Sequence, residues 1–172
     1  MPNIGKIFEE QIQKSIPDYA LMYRLRDSAQ SFGGSTKLRF SSKNPFDYIL
    51  WDSRMHILYA LELKTVKEKS ISFERQDGDE GKIHLHQING LMEWDKYDGI
   101  TCGFIIEFRE LETTCFIAIK DFKKLIDEIP KKSFTMNDLR DYKIPHIIIP
   151  QKKSRTRYTY NLDSFLSEAS KY

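Results

Sequence analysis

Cysteine is scarce in this chain. Its 172 residues include two, Cys102 and Cys115, too few for the disulfide framework of a small secreted domain. Both lie in apolar runs, Ile100 to Phe108 and Thr113 to Ile119, that read as neighbouring strands, so buried reduced thiols are expected. No apolar run approaches the ~18 residues of a membrane span, and the N-terminus has no apolar signal-peptide segment. The expectation is a soluble cytoplasmic protein with no membrane partner. Net charge is nearly absent too, at +2, so bulk charge alone says little about nucleic acid. Among the four histidines, the pair His84 and His86 would point about 200° apart on a helix. No Cys or His cluster completes a zinc site around them. There is no internal repeat and no low-complexity linker, and the length suits one domain spanning residues 1–172.

What the chain does have is charge in unexpected places. Asn44-Pro45-Phe46-Asp47-Tyr48-Ile49-Leu50 is followed by Leu61-Glu62-Leu63-Lys64, and both carboxylates sit inside strand-like apolar runs. An unpaired buried carboxylate costs several kcal/mol or shifts its pKa, so the arrangement asks for a cation. An acid on one strand, an acid-x-Lys triplet on the next and a short turn between them is how metal-dependent nucleases assemble a divalent-metal site beside a lysine.

Parity supports the grouping. Glu62 and Lys64 share one face of a strand, with Cα atoms roughly 6–7 Å apart, while Leu61 and Leu63 take the other. The turn falls within Asp52 to Ile57. One register sets Asp47 opposite Ala60 and diagonal to Glu62; a longer turn sets it directly opposite Glu62. Either keeps Asp47, Glu62 and Lys64 on one face, whereas a one-residue slip would scatter them. The plainer alternative is a surface salt bridge on a solvated sheet. Two helices favour the site. Gly5 to Ile16 carries Ile4, Phe8, Ile12 and Ile16 four apart, flanked by Glu9 and Gln13, and Leu85 to Trp94 sets Gln87 over an apolar face.

A strand at Ala20 to Leu25, the Asp47 and Glu62 strands, the Leu85 helix, strands at Gly99 to Phe108 and Cys115 to Ile119, and a helix stopped by Pro130 make a mixed order. A short peripheral strand, Ile147-Ile148-Ile149 between two prolines, and a terminal helix from Asn161 or Asp163 follow. This order points to the α/β class, a central mixed β-sheet flanked by helices.

Positive charge is clustered although its sum is small. Lys37, Arg39 and Lys43 precede the site, and Lys152, Lys153, Arg155 and Arg157 form a late cluster interleaved with Tyr158 and Tyr160. Such clusters suit a phosphate backbone, because each neutralised phosphate releases condensed counterions. Lys67 and Lys69 read better as a solvated loop. Asp77-Gly78-Asp79-Glu80-Gly81 lacks the full spacing and terminal Glu of a calcium loop and reads as a linker.

The order Gly5-x-x-x-Glu9, Arg24-Leu25-Arg26-Asp27-Ser28, Asn44-Pro45-x-Asp47, Glu62-x-Lys64 and His86-Gln87 resembles the RecU family of Holliday-junction resolvases and its phage-type recombinase relatives. The resemblance runs from Met1 to about Phe108, with a weaker echo at Arg157-Tyr158-x-Tyr160. Here the proline stands two residues before Asp47 rather than beside it. The resemblance implies a PD-(D/E)xK, restriction-endonuclease-like fold, DNA contacts at Arg24 and Arg26, and a homodimer acting on four-way DNA junctions in a bacterial or phage-infected cell. It further implies Mg2+, with Mn2+ as a substitute, held by Asp47, Glu62 and the backbone carbonyl of Leu63, with Glu9 an outer ligand through water. Lys64 would position the attacking water, and Gln87 would hydrogen-bond to the site. Two other readings stay open: a sequence-specific restriction-type endonuclease and a non-cleaving DNA-binding recombination accessory protein.

Overall fold

A computed structural model describes residues 3–25 and 44–172. Arg26, Lys37, Arg39 and Lys43, expected at the DNA interface, lie outside the described residues. In chain order the elements are α1 (Ile4–Lys14), β1 (Ala20–Arg24), β2 (Tyr48–Asp52), β3 (Ile57–Val66), β4 (Ser70–Ser72), α2 (Leu85–Trp94), β5 (Ile100–Phe108) and β6 (Thr113–Ala118). They continue with α3 (Ile119–Glu128), β7 (Ser133–Thr135), α4 (Met136–Asp141), β8 (Ile147–Ile149), β9 (Gln151–Ser154), β10 (Arg157–Tyr160) and α5 (Leu162–Ala169).

Six strands form one sheet in the order β1-β2-β3-β5-β6-β8. Only β3 and β5 run parallel, joined by the crossover through α2; the other neighbours are antiparallel. The sheet is thus mixed and flanked by helices, as the order of elements implied. β3 is central, and Tyr59 through Leu63 are buried without interruption, the pattern of a strand covered on both faces. On one face Ala60, Phe104 and Ile106 pack with Ile88 and Leu91 of α2 and Phe122 and Leu125 of α3. On the other, Tyr48, Leu50, Leu61 and Leu63 pack with Phe8 and Ile12 of α1 and Phe165 and Leu166 of α5. Asn3 caps α1 by accepting from the Lys6 N–H at 3.2 Å, and Asn161 caps α5 through Ser164 at 3.0 Å.

Cys102 and Cys115 are buried free thiols, and burial pushes each up to about 12. Two local expectations need correction. His84 is the residue before α2 rather than part of it, so the rings of His84 and His86 stack 5.5 Å apart instead of diverging. The Asp77 to Gly81 segment is more than a linker. Asp79 accepts the N–H groups of Arg75 and Gln76 at 3.0 and 3.3 Å and pairs with Lys132 at 2.6 Å. The late basic run forms an antiparallel hairpin of β9 and β10, with Arg155 in the left-handed region at φ 58°. No helix among the described residues is long and apolar enough to cross a membrane.

Candidate active site

The turn between β2 and β3 fixes the register on which the site depends. Asp52 is fully buried, and its Oδ1 accepts the N–H groups of Arg54 at 2.8 Å and Met55 at 3.4 Å, a side-chain turn that sets the loop length. Pairing then runs from Asp52 opposite Ile57 to Tyr48 opposite Leu61. Carried one step beyond β2, that register sets Asp47 level with Glu62, the longer-turn register of the two the sequence allows. Beyond Leu61, β3 continues to Val66 with β5 alongside but no paired residue on the β2 side among the described residues. Glu62 and Lys64 therefore lie where the sheet opens.

Glu62 is 1% exposed. Its Oε1 takes two donors, Lys64 Nζ at 2.9 Å and the Gln87 side-chain amide. Its Oε2 is buried without a hydrogen-bond partner among the described residues, and the Asp47 carboxylate lies against the same group, within reach of a shared proton. Burial is the main force pushing the Glu62 carboxyl up to about 8; Lys64 pulls it down and Asp47 pushes it further up. α2 reaches this spot because Gly90 has no side chain. A Cβ there would meet Pro45 Cβ at 2.6 Å and the Pro45 carbonyl oxygen at 2.7 Å. The same Pro45 that leads into Asp47 thus seats the helix that carries Gln87.

These residues suit a hard divalent cation. Two facing carboxylates, one with a buried oxygen lacking a donor, offer negative charge that a cation would satisfy. Among the described residues no group of three or more His, Cys, Asp or Glu side chains converges. A cation here would keep several waters, as Mg2+ does when held by one or two carboxylates.

The structure brings Asp47, Lys64 and Gln87 to Glu62, and holds Glu9 on α1 by other contacts. Tyr48, whose ring belongs to the α1 side of the sheet, donates its hydroxyl to Glu9 Oε2 at 2.7 Å. Arg24 Nε is 3.2 Å from that same oxygen. Glu9 and Arg24 therefore form an ion pair with each other. Leu63 turns its side chain into the α1 and α5 core, leaving only its backbone to face the site. In the hairpin, Lys152, Arg155 and Arg157 are exposed, while Lys153 pairs with Glu112 at 2.6 Å, which also accepts the Tyr158 hydroxyl at 2.8 Å.

No family model matches the chain. It is 34% identical over 183 aligned positions to the SPbeta prophage-derived uncharacterized protein YotM of Bacillus subtilis (strain 168), an alignment covering 98% of this chain and 88% of that protein. The chain belongs to the YotM family. Among solved structures, the Holliday junction resolvase Hjc of Archaeoglobus fulgidus is similar with a TM-score of 0.47 and 10% identity, over 77% of this chain and 88% of that one. At that identity no residue role carries across.

Two acids of this YotM-family chain, buried Glu107 and half-buried Glu74, escaped the sequence reading. Glu107 accepts from Thr65 at 2.6 Å and Tyr160 at 2.9 Å on the α1 and α5 side of the sheet, tying the hairpin's last residue to β5. Its signal was the one that marked Glu62, an acid inside an apolar strand. Glu74 is the other, and it holds the start of α2.

The displaced Glu62 pKa has a consequence for stability. The folded chain keeps a proton there that the unfolded chain, at its ordinary value of 4.5, has released. The contribution of this carboxyl to metal-free stability is therefore full below about 4.5 and is lost as pH rises through about 8. Thermal melts at pH 5.5 and 8.5 are expected to differ by more in wild type than in Glu62→Gln, and Mg2+ is expected to restore the wild type at the higher pH. Each kcal/mol is worth roughly 2–4 °C in a domain of this size.

Proposed function

We propose that the chain is a metal-dependent endodeoxyribonuclease that resolves four-way DNA junctions by paired hydrolysis of phosphodiester bonds. It acts as a cytoplasmic homodimer of the RecU type, within the PD-(D/E)xK, restriction-endonuclease-like nucleases. The observation that carries the reading is the convergence of Asp47, Lys64 and Gln87 on the buried Glu62 carboxylate, whose Oε1 takes both donors and whose Oε2 lacks one among the described residues. A buried polar atom left this way in a native fold calls for an explanation. A cation would satisfy that oxygen in place of the proton that burial favours there. A prophage-derived relative supports a bacterial or phage setting.

Mg2+, or Mn2+ in its place, would be held by Asp47 and Glu62 with the Leu63 carbonyl, and would supply Lewis acidity towards the scissile phosphate. The chain's own groups do the rest. Lys64, 2.9 Å from Glu62, orients the attacking water and offsets negative charge gathering on the phosphate oxygens. Gln87 and Lys64 occupy Glu62 Oε1, which leaves Oε2 for the cation. Glu9 serves the N-terminal side through its contact with Tyr48, and its water-mediated role requires release from Arg24. Cleavage leaves 5′-phosphate and 3′-hydroxyl ends suited to ligation. The test is incubation with a mobile four-way junction and a linear duplex of equal length, with and without Mg2+. Metal-dependent cutting selective for the junction supports the proposal; cutting confined to one sequence in linear duplex favours the restriction-type reading.

The hairpin would grip the DNA backbone through Lys152, Arg155 and Arg157. Arg155→Ala combined with Arg157→Ala is expected to weaken binding equally across unrelated sequences and to reduce the slope of log K against log salt by about two. Binding isotherms at several salt concentrations measure this, and an unchanged slope would return the hairpin to an ordinary solvated surface.

A further inference from the structure

The first turn of α2 selects among the atoms of the site. Gln87 is its third residue, and its carboxamide spans two partners. Oε1 accepts the His84 N–H at 3.0 Å, and the amide nitrogen donates to Glu62 Oε1. A carboxamide has one donor end and one acceptor end. Reversed, it would set its NH2 against the His84 N–H and its oxygen against the Glu62 carboxylate. The capping contact therefore dictates that Gln87 presents a donor to Glu62. With Lys64 on the same oxygen, Oε1 is occupied and Oε2 is the oxygen left over.

His84 is itself held. Its Nδ1 lies 2.7 Å from Glu74 Oε1, and Glu74 Oε2 accepts the Leu85 N–H at 2.8 Å. Glu74 follows the fully buried Phe73, which bridges Ile83, and the Glu74 N–H donates to the Ile83 carbonyl at 2.9 Å. The carboxylate is thus delivered from a braced stretch of backbone, and it fixes both residues at the entry to α2.

We propose that Glu74 is a positioning residue that, through His84 and the Gln87 carboxamide, selects the Glu62 oxygen offered to a divalent cation. The proposal rests on the metal-site reading above. Supporting partners of this kind typically change metal affinity by about 10–100-fold when removed, whereas a mere helix cap would change melting temperature alone.

The test uses the full chain and two readouts. In metal-free 15N spectra, the side-chain amide pair of Gln87 is assigned by its loss in Gln87→Leu. Glu74→Ala is expected to displace that pair, while Glu74→Gln, whose carbonyl still accepts from Leu85, largely preserves it. In Mn2+ titration calorimetry, Glu74→Ala is expected to weaken binding about tenfold and Glu74→Gln much less, with no further loss when Glu74→Ala is added to Gln87→Leu. His84→Ala, which removes the other contact of Glu74 and leaves the backbone cap, is expected to weaken Mn2+ binding in the same direction and decides the matter if Glu74→Ala does not fold. An amide pair unmoved by Glu74→Ala, unchanged Mn2+ affinity, or full additivity with Gln87→Leu would overturn the proposal alone. A wild-type chain without Mn2+ affinity would instead overturn the metal-site reading and this proposal with it.

Discussion

Asp47→Asn and Glu62→Ala each leave a folded chain that still binds four-way junctions and has lost its cutting, by roughly a thousandfold or more, as the loss of several kcal/mol of transition-state stabilisation requires. The expectation follows from the proximity of the two carboxylates and from the Glu62 oxygen without a donor among the described residues. The stability effect runs the other way. Two acids pressed together without a cation repel, and desolvation already pushes the Glu62 carboxyl up to about 8, so removing either charge costs the metal-free protein little and raises its melting temperature at alkaline pH. Single-turnover cleavage, junction-binding assays and melts on the same preparations separate these effects. Wild-type cutting by either variant would remove the metal-site assignment.

Lys64→Ala is expected to lower the cleavage rate by about 10²–10³-fold, the loss typical of one electrostatic contact made to the transition state, with junction affinity changed no more than a few-fold. Lys64 is well placed for this. It is largely enclosed, on the same face as Glu62 and two positions further along β3, with its ammonium 2.9 Å from Glu62 Oε1. Its loss also takes from Glu62 the attraction that pulls that carboxyl down, so cation binding at neutral pH weakens and recovers as pH is raised. A variant whose binding and rate fall equally would make Lys64 a phosphate anchor instead.

The parts of the candidate site on or beside regular strands were legible in the sequence. Asp47, Glu62 and Lys64 stood out because charge inside apolar runs is costly, and strand parity then put them on one face. The turn length was not legible to the residue, because it is set by the Asp52 side chain reaching the Arg54 and Met55 N–H groups. Gln87 could be read from its place over the apolar stripe of α2, but its two-ended contact could not, since that needs the position of His84. Glu9 shows the limit of helical spacing. The stripe of α1 puts it beside the sheet, yet Tyr48 and Arg24 decide where its carboxylate goes. The sheet itself was recoverable from its long apolar strands, whereas β4 and β7 are three residues each and pair only with one another. The β9 and β10 hairpin turns at Arg155 with a positive φ and no glycine or asparagine to announce it.

Mapping the incisions on a mobile four-way junction to the nucleotide, with Mg2+ and with a chelator, tests the central claim most directly. An isologous dimer with one site per subunit presents two equivalent active sites to two equivalent strands. The expected result is a pair of nicks placed symmetrically across the branch point, present only with the metal, carrying 5′-phosphates, and made in preference to cuts in linear duplex. Equal cutting of linear DNA, cutting that persists in chelator, or a chain that stays monomeric while bound to the junction would contradict it.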